Sequence, residues 1–194
     1  NGIFVLKRNP GAASEEVRCR LDVIGMFNLG EMVNKFMKGS LVSGTKSPSP
    51  SDQVSTLNVS FTPTTGSETL FGTVDGSLGS VIGLNPVTTT FLAALERAMT
   101  KVVVPIGNLQ HKEFRSFREQ RSNQSARGFV DGDLVESFTD LHPSMMQEVV
   151  DVMNKEGKWQ YVNGQSDDMD ASNTSADLLV DDVLSMVEDM SRMH

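Results

Sequence analysis

Leu70-Phe-Gly-Thr-Val-Asp-Gly76 leads through Val81-Ile-Gly-Leu84 into Asn85-Pro86, and the fold is decided within this stretch. Asp75-Gly76 is the strongest short-range hairpin signal in the chain, because tight turns need a positive φ that Gly adopts without steric cost. Apolar runs stand before and after it, so two strands joined by a turn are expected. Asn85 can then cap a helix, and Pro86 suits the first helical position, where no N–H is needed. Beyond it Val87, Phe91, Leu95, Ala98 and Val102 recur at spacings of four, four, three and four. That is one face of a helix. The hydrophobic period thus switches from strand to helix at residue 86.

Working upstream, Ile3-Phe-Val-Leu6 is a short apolar run stopped by the turn cluster Asn9-Pro-Gly11. Leu21, Val23, Met26 and Phe27 make a second strand, closed by Leu29-Gly30. Val33, Phe36, Met37, Leu41 and Val42 fall in a further pair of short runs about Lys38-Gly-Ser40, read as a hairpin turn. Short strands with regular Gly punctuation suit a barrel, a sandwich or propeller blades, and the pattern does not choose among them. Residues 43–68 break the rhythm. Ser43 to Ser51 is Ser/Pro-rich and is expected to be a mobile surface loop, while Leu57, Val59 and Phe61 alternate as a hidden strand would.

Downstream, a short helical turn is expected over His111 to Phe117. Asp133-Leu-Val-Glu136 fits a capping box opening a helix that carries Phe138. Pro143 opens another, with Met146, Val149, Val150 and Met153 on one face. Residues 157–173 read as a flexible linker. Thr174-Ser-Ala-Asp177 would cap a last helix striped with Leu179, Val183, Met186, Val187, Met190 and Met193. The expected organisation is 1–85 built of strands and 86–194 built of helices.

The chain has 194 residues, enough for one or two domains. No apolar run approaches the roughly 20 residues that span a bilayer, and the first residues lack the pattern of a signal peptide. Asn1-Gly-Ile3 reads as the middle of a longer chain. Cys19 is the only cysteine, which suits a reducing nuclear or cytosolic compartment. The sequons at Asn58, Asn123 and Asn173 are then read as coincidental. Charge is unevenly placed: residues 1–130 hold 14 Lys and Arg against 10 Asp and Glu, and residues 131–194 hold 3 against 15. A tail of net −12 lacks the cations that displace counterions from phosphates, so direct nucleic-acid binding by it is disfavoured.

Candidate chemistry is sparse. His111, His142 and His194 are far apart, and no Cys/His pair has metal-ligand spacing, so no metal or cofactor is expected. Cys19 is read as a small buried hydrophobe in preference to a nucleophile. Asp131, Asp133, Glu136 and Asp140 resemble a calcium loop only superficially, since Leu134 and Val135 interrupt it, and helix capping is preferred. Gly72 and Gly76 are not followed by a helix opening on a phosphate. Lys112, Arg115, Arg118, Arg121 and Arg127, interleaved with Phe114 and Phe117, are read as the solvated face of a helix that pairs with the acidic tail, in preference to a nucleic-acid patch. The methionine stripe of the last helix is read as core in preference to a partner groove.

Several segments, in order along the whole chain, carry a family resemblance. They are Phe27-Asn-Leu-Gly-Glu-Met-Val-Asn-Lys-Phe36, Gly39-Ser-Leu-Val42, Leu70 to Gly76, Phe114-Arg-Ser-Phe117, Gly128-Phe-Val-Asp-Gly-Asp-Leu-Val-Glu-Ser-Phe138, Met146-Gln-Glu-Val-Val150 and Met190-Ser-Arg-Met-His194. Together they resemble the C-terminal portion of the large subunit of damage-specific DNA-binding protein, the adaptor of cullin-4 ubiquitin ligases. The Asp-Gly-Asp-Leu segment is shared with sister proteins of splicing and of mRNA 3′-end processing. Leu-Gly-Glu, Gly-Ser-Leu-Val and the Arg-Met-His ending point to the adaptor.

The resemblance implies a mixed fold: the closing blades of a WD40-like antiparallel β-propeller over 1–85, with 43–68 a flexible insertion, then an α-helical C-terminal domain over 86–194. It implies a protein-interaction scaffold with no enzyme activity, acting in ubiquitination and DNA damage repair in the nucleus and cytoplasm. WD40-type substrate receptors would be its partners, cullin-4 would be held on a propeller absent here, and damaged DNA would be reached only through a receptor, with no membrane involved. Met32, Asn34 and Val74 match positions of the receptor cleft. The rival reading is a nucleic-acid-associated scaffold of pre-mRNA splicing or 3′-end processing. From the residues alone, Met32 and Val74 read equally well as ordinary strand core, with Asn34 satisfying a turn.

Overall fold

The structure, a computed structural model, describes residues 2–41, 61, 64, 67–119, 122–159 and 177–193. It is of mixed class, with antiparallel sheets and several helices. In chain order the elements are β1 (Gly2–Arg8), α1 (Glu15–Cys19), β2 (Leu21–Asn28), β3 (Val33–Lys38), β4 (Thr69–Thr73), β5 (Leu78–Val81), α2 (Pro86–Val102), α3 (His111–Phe114), β6 (Phe117–Glu119), β7 (Ser122–Gln124), α4 (Gly132–Glu136), α5 (Pro143–Glu156) and α6 (Val180–Ser191). Most of the expected insertion over 43–68 and of the linker over 157–173 lies outside the described residues, as do Val42, the Thr174 end of the last expected cap, and His194.

The described residues form two compact units. The first comprises 1–37, 71–79 and 105–129, and the second 38–70, 80–104 and 130–194. Residues 105–129, read from sequence among the helices, therefore belong to the same unit as β1 and β2.

In the first unit β1 and β2 pair antiparallel from Gly2↔Asn28 to Arg8↔Leu21, with a register shift after Val5 that leaves Ile24 as the extra residue. Such a bulge bends a strand and re-aims its backbone groups. Gly128 sits at this point with φ +70, and a Cβ on it would stand 2.7 Å from the Ile24 carbonyl oxygen, so only glycine fits. Beside it Met26 and Arg127 exchange backbone hydrogen bonds at 2.9 and 3.0 Å. Phe129 packs its ring 5.6 Å from that of Phe27. Arg115 is buried, its guanidinium 4.6 Å from the ring centroids of both Phe27 and Phe114. Of the helical turn expected over His111 to Phe117, α3 forms the first part, and Phe117–Glu119 is strand β6, paired with β7. Arg115 is not on a solvated face but stacks between rings, and Arg127 donates to the Val23 carbonyl at 3.2 Å. Cys19 likewise departs from expectation. It ends the short α1 and is exposed, because a five-residue surface helix has no buried face to offer it.

A three-stranded sheet runs in the order β3-β4-β5. The hairpin expected at Asp75-Gly76 is present between β4 and β5, and β5 begins at Leu78, earlier than the apolar run suggested. Among the described residues no second hairpin forms at Lys38-Gly39-Ser40. Gly39 instead turns the chain at φ +136 and donates to the Glu68 carbonyl at 3.0 Å, so β3 takes β4 as its neighbour.

The second unit is organised by helix faces. Asn85 accepts from the Thr88 N–H at 2.7 Å, the cap that the Asn-Pro pair predicts. α2 buries Phe91, Leu92, Leu95, Ala98 and Met99, with Thr88 in place of the more exposed Val87. α5 begins at Pro143, buries Met146, Val149, Val150 and Met153, and ends at Gly157 in the left-handed region. α6 buries Val183, Met186, Val187 and Met190, while Leu179 stays exposed. Its start differs from the expected Thr174 box: Leu179 is the N-cap, and its N–H donates to the Asp182 carboxylate at 3.0 Å. The Asp133 box shifts in the same way. Asp131 is the N-cap of α4, Asp133 lies in the first turn, and Phe138 falls in the 3-10 turn that follows.

Candidate partner-binding site

Met32, Asn34 and Val74 belong to the first unit, on two neighbouring stretches of chain. Gly30, at φ +84, donates its N–H to the Asn28 side chain at 3.2 Å and delivers Glu31 and Met32 to the start of β3. On the other side, the connection Val74-Asp75-Gly76-Ser77 closes over Thr73. The Thr73 N–H donates to the Ser77 carbonyl at 2.9 Å, and the Ser77 N–H donates to the Thr73 hydroxyl at 3.0 Å. Gly76 takes φ +93 to complete the turn.

Two bonds join the stretches. The Val74 N–H donates to the Met32 carbonyl at 2.9 Å. The Ser77 hydroxyl donates to Oε1 of Glu31 at 3.4 Å. Met32 and Val74 are each 61% exposed in this chain. Asn34 is also exposed, and by strand alternation it shares a face of β3 with Phe36, whose ring lies 6.2 Å from that of buried Phe71. The Phe71 ring lies over Gly79, where an added Cβ would meet it at 2.3 Å. The structure therefore joins Met32 and Val74 through the backbone, with Asn34 on the adjoining strand. Two apolar side chains and an amide that both donates and accepts can hold an apolar surface and orient a backbone.

Sequence reasoning missed Glu31 and Ser77, which link the same two stretches. The signal was present, since Glu31 directly precedes Met32 and Ser77 follows the Asp-Gly turn. Among the described residues no three His, Cys, Asp or Glu side chains gather as a metal site would require. No helix among them is long and apolar enough to cross a membrane.

Comparison with known proteins places these observations. The chain is similar to DNA damage-binding protein 1b of Arabidopsis thaliana, 32% identical over 192 residues, which is 99% of this chain and 14% of that protein. It is 37% identical to DNA damage-binding protein 1a of the same plant over 152 residues, 78% of this chain and 13% of that protein. To DNA damage-binding protein 1 of Oryza sativa subsp. japonica it is 37% identical over 147 residues, 76% of this chain and 12% of that protein. The chain thus spans between 12% and 14% of the length of these relatives. Residues 1–140, which include β1 to β7, α4 and the Met32–Val74 pair, match the family described as the CPSF A subunit region, and the chain belongs to that family.

Proposed function

We propose that this chain is part of an adaptor scaffold that presents substrate receptors to a cullin-4 RING ubiquitin ligase, acting in ubiquitination and DNA damage repair, and that it carries out no reaction of its own. The observation that carries this reading is the Met32–Val74 pair, hydrogen-bonded through the backbone and exposed together. Contiguous exposed apolar surface marks interaction sites as it grows, and Met32 and Val74 contribute to such surface. On this reading β1 to β5 belong to closing blades of a WD40-like propeller over 1–85, and 86–194 is the helical domain. Exposed Phe4, Leu6, Leu21 and Ile24 on β1 and β2 support a larger β assembly around them. Cullin-4 is held elsewhere in the longer protein, and the nucleus and cytoplasm are where it works.

Damaged DNA is reached through a receptor. Charge supports this: the first unit carries ten Lys and Arg against seven Asp and Glu, a formal +3, and the second seven against eighteen, a formal −11. Of the first unit's cations, Arg115 and Arg127 are engaged inside the unit by rings and a carbonyl. The small excess of +3 in the first unit and the −11 of the second both weigh against a strong phosphate footprint.

The test is pull-down with the full-length protein. Asn34→Ala and Met32→Asp should weaken capture of a WD40-type receptor while cullin-4 binding and Tm stay close to the parent. Loss of both partners with a large fall in Tm, or capture of pre-mRNA processing factors in place of cullin-4, overturns the reading.

A further inference from the structure

Glu31 is the residue of this site that the apolar pair and Asn34 leave unexplained. Its Oε1 accepts from the Ser77 hydroxyl at 3.4 Å, long for a hydroxyl donating to a carboxylate. Its Oε2 is closed off from solvent and finds no donor among the described residues. A carboxylate oxygen withdrawn from water costs free energy until a donor or a cation replaces the water. Glu31 is adjacent to Met32 in sequence, and Ser77 closes the turn that carries Val74 and exposed Asp75.

β4 and β5 contribute no ionisable side chain, and neither does Asn28-Leu29-Gly30. Asp75 adds a second negative charge on the turn. The nearest cation along the chain is Lys35, four residues on in β3, while Arg115, which donates to the Asn28 carbonyl at 3.5 Å, stacks on the rings of Phe27 and Phe114. The site is therefore apolar with an under-satisfied anion at its edge.

We propose that Glu31, braced by Ser77, is a specificity-determining residue that takes the guanidinium or ammonium group of a partner, so that the segment seated on Met32 and Val74 carries an Arg or Lys beside its apolar residues. This rests on the reading of Met32 and Val74 as a partner surface. A guanidinium supplies two parallel donors, matching a carboxylate with one long bond on one oxygen and none on the other. Release of the long Ser77 bond lets the carboxylate turn to meet it.

The experiment is selection from a displayed library of amphipathic helical peptides on the full-length protein, comparing the parent with Glu31→Gln, Glu31→Lys and Met32→Asp, each first shown to melt like the parent. The parent should enrich peptides with Arg or Lys next to apolar residues. Glu31→Gln should keep the apolar preference and lose about tenfold of the basic enrichment. Glu31→Lys should reverse the preference to Asp or Glu, which a bracing role alone would not do. A basic preference unchanged in both Glu31 variants, or no basic preference in the parent, overturns the proposal. Enrichment unaffected by Met32→Asp, or no enrichment by the parent at all, instead overturns the reading of the surface on which it rests.

Discussion

Asn154 and Leu178 complete each other's hydrogen bonding: the Asn154 side-chain amide donates to the Leu178 carbonyl and accepts from the Leu178 N–H, both at 3.0 Å. Leu178 is buried, so its backbone groups have no water to fall back on. The pair ties the entry of α6 to the last turns of α5. Asn154→Ala strands both groups and should lower stability by about 1–3 kcal/mol, read from urea denaturation. Asn154→Asp keeps the acceptor but sets a carboxylate oxygen against the Leu178 carbonyl, so at neutral pH it should be at least as destabilising as Ala.

Gly128→Ala is expected to loosen residues 115–129 from β2. The left-handed φ alone costs an L-residue about 1–2 kcal/mol, and the added carbon meets the Ile24 carbonyl at a distance that backbone must yield to. Hydrogen exchange at the Met26 and Arg127 amides should accelerate, while amides of α2 and α5 keep their protection.

Glu156 sits on α5 opposite α2. A hydrogen bond from Lys101 holds its carboxyl below the ordinary carboxylate range against desolvation, and the charges of Lys101, Arg97 and Lys158 act in the same direction as the hydrogen bond. A depressed folded-state pKa contributes stability above the unfolded pKa and loses it as pH falls through the folded one. Glu156→Gln should therefore be less stable than the parent at neutral pH. The gap should close as pH drops through the carboxylate range, and it should narrow with added salt because the pair is at the surface.

Cutting the chain between residues 85 and 86 separates β2 from residues 105–129. The piece 1–85 is expected to be insoluble, since it exposes strand edges without their partners. The piece 86–194 should retain the helical circular dichroism of α2, α5 and α6. A soluble 1–85 that unfolds cooperatively would show that the strands need neither residues 105–129 nor further blades.

The helices α2 and α5 were legible because their signals are local. An Asn-Pro or His-Pro start and apolar residues three and four apart lie within one element, and packing follows them directly. Residues 105–129 were not legible. Their structure depends on β2, some ninety residues away, and a cation stacked between Phe27 and Phe114 looks in sequence like any surface arginine. Gly25 and Gly128-Phe129 were the available clue, small residues and a ring whose meaning appears only when the two stretches meet. At the candidate site, the family resemblance pointed to Met32, Asn34 and Val74, whereas the chain's own pattern left core and surface equally open. In the structure Met32 and Val74 are exposed in this chain, and the Val74–Met32 hydrogen bond brought Glu31 and Ser77 into view.

The backbone passes between the two units five times before it ends. Neither unit is therefore a continuous stretch of coding sequence, and a segment long enough to carry one of them intact must also carry pieces of the other. A crossover with a related gene inside this region would join halves of both units at once.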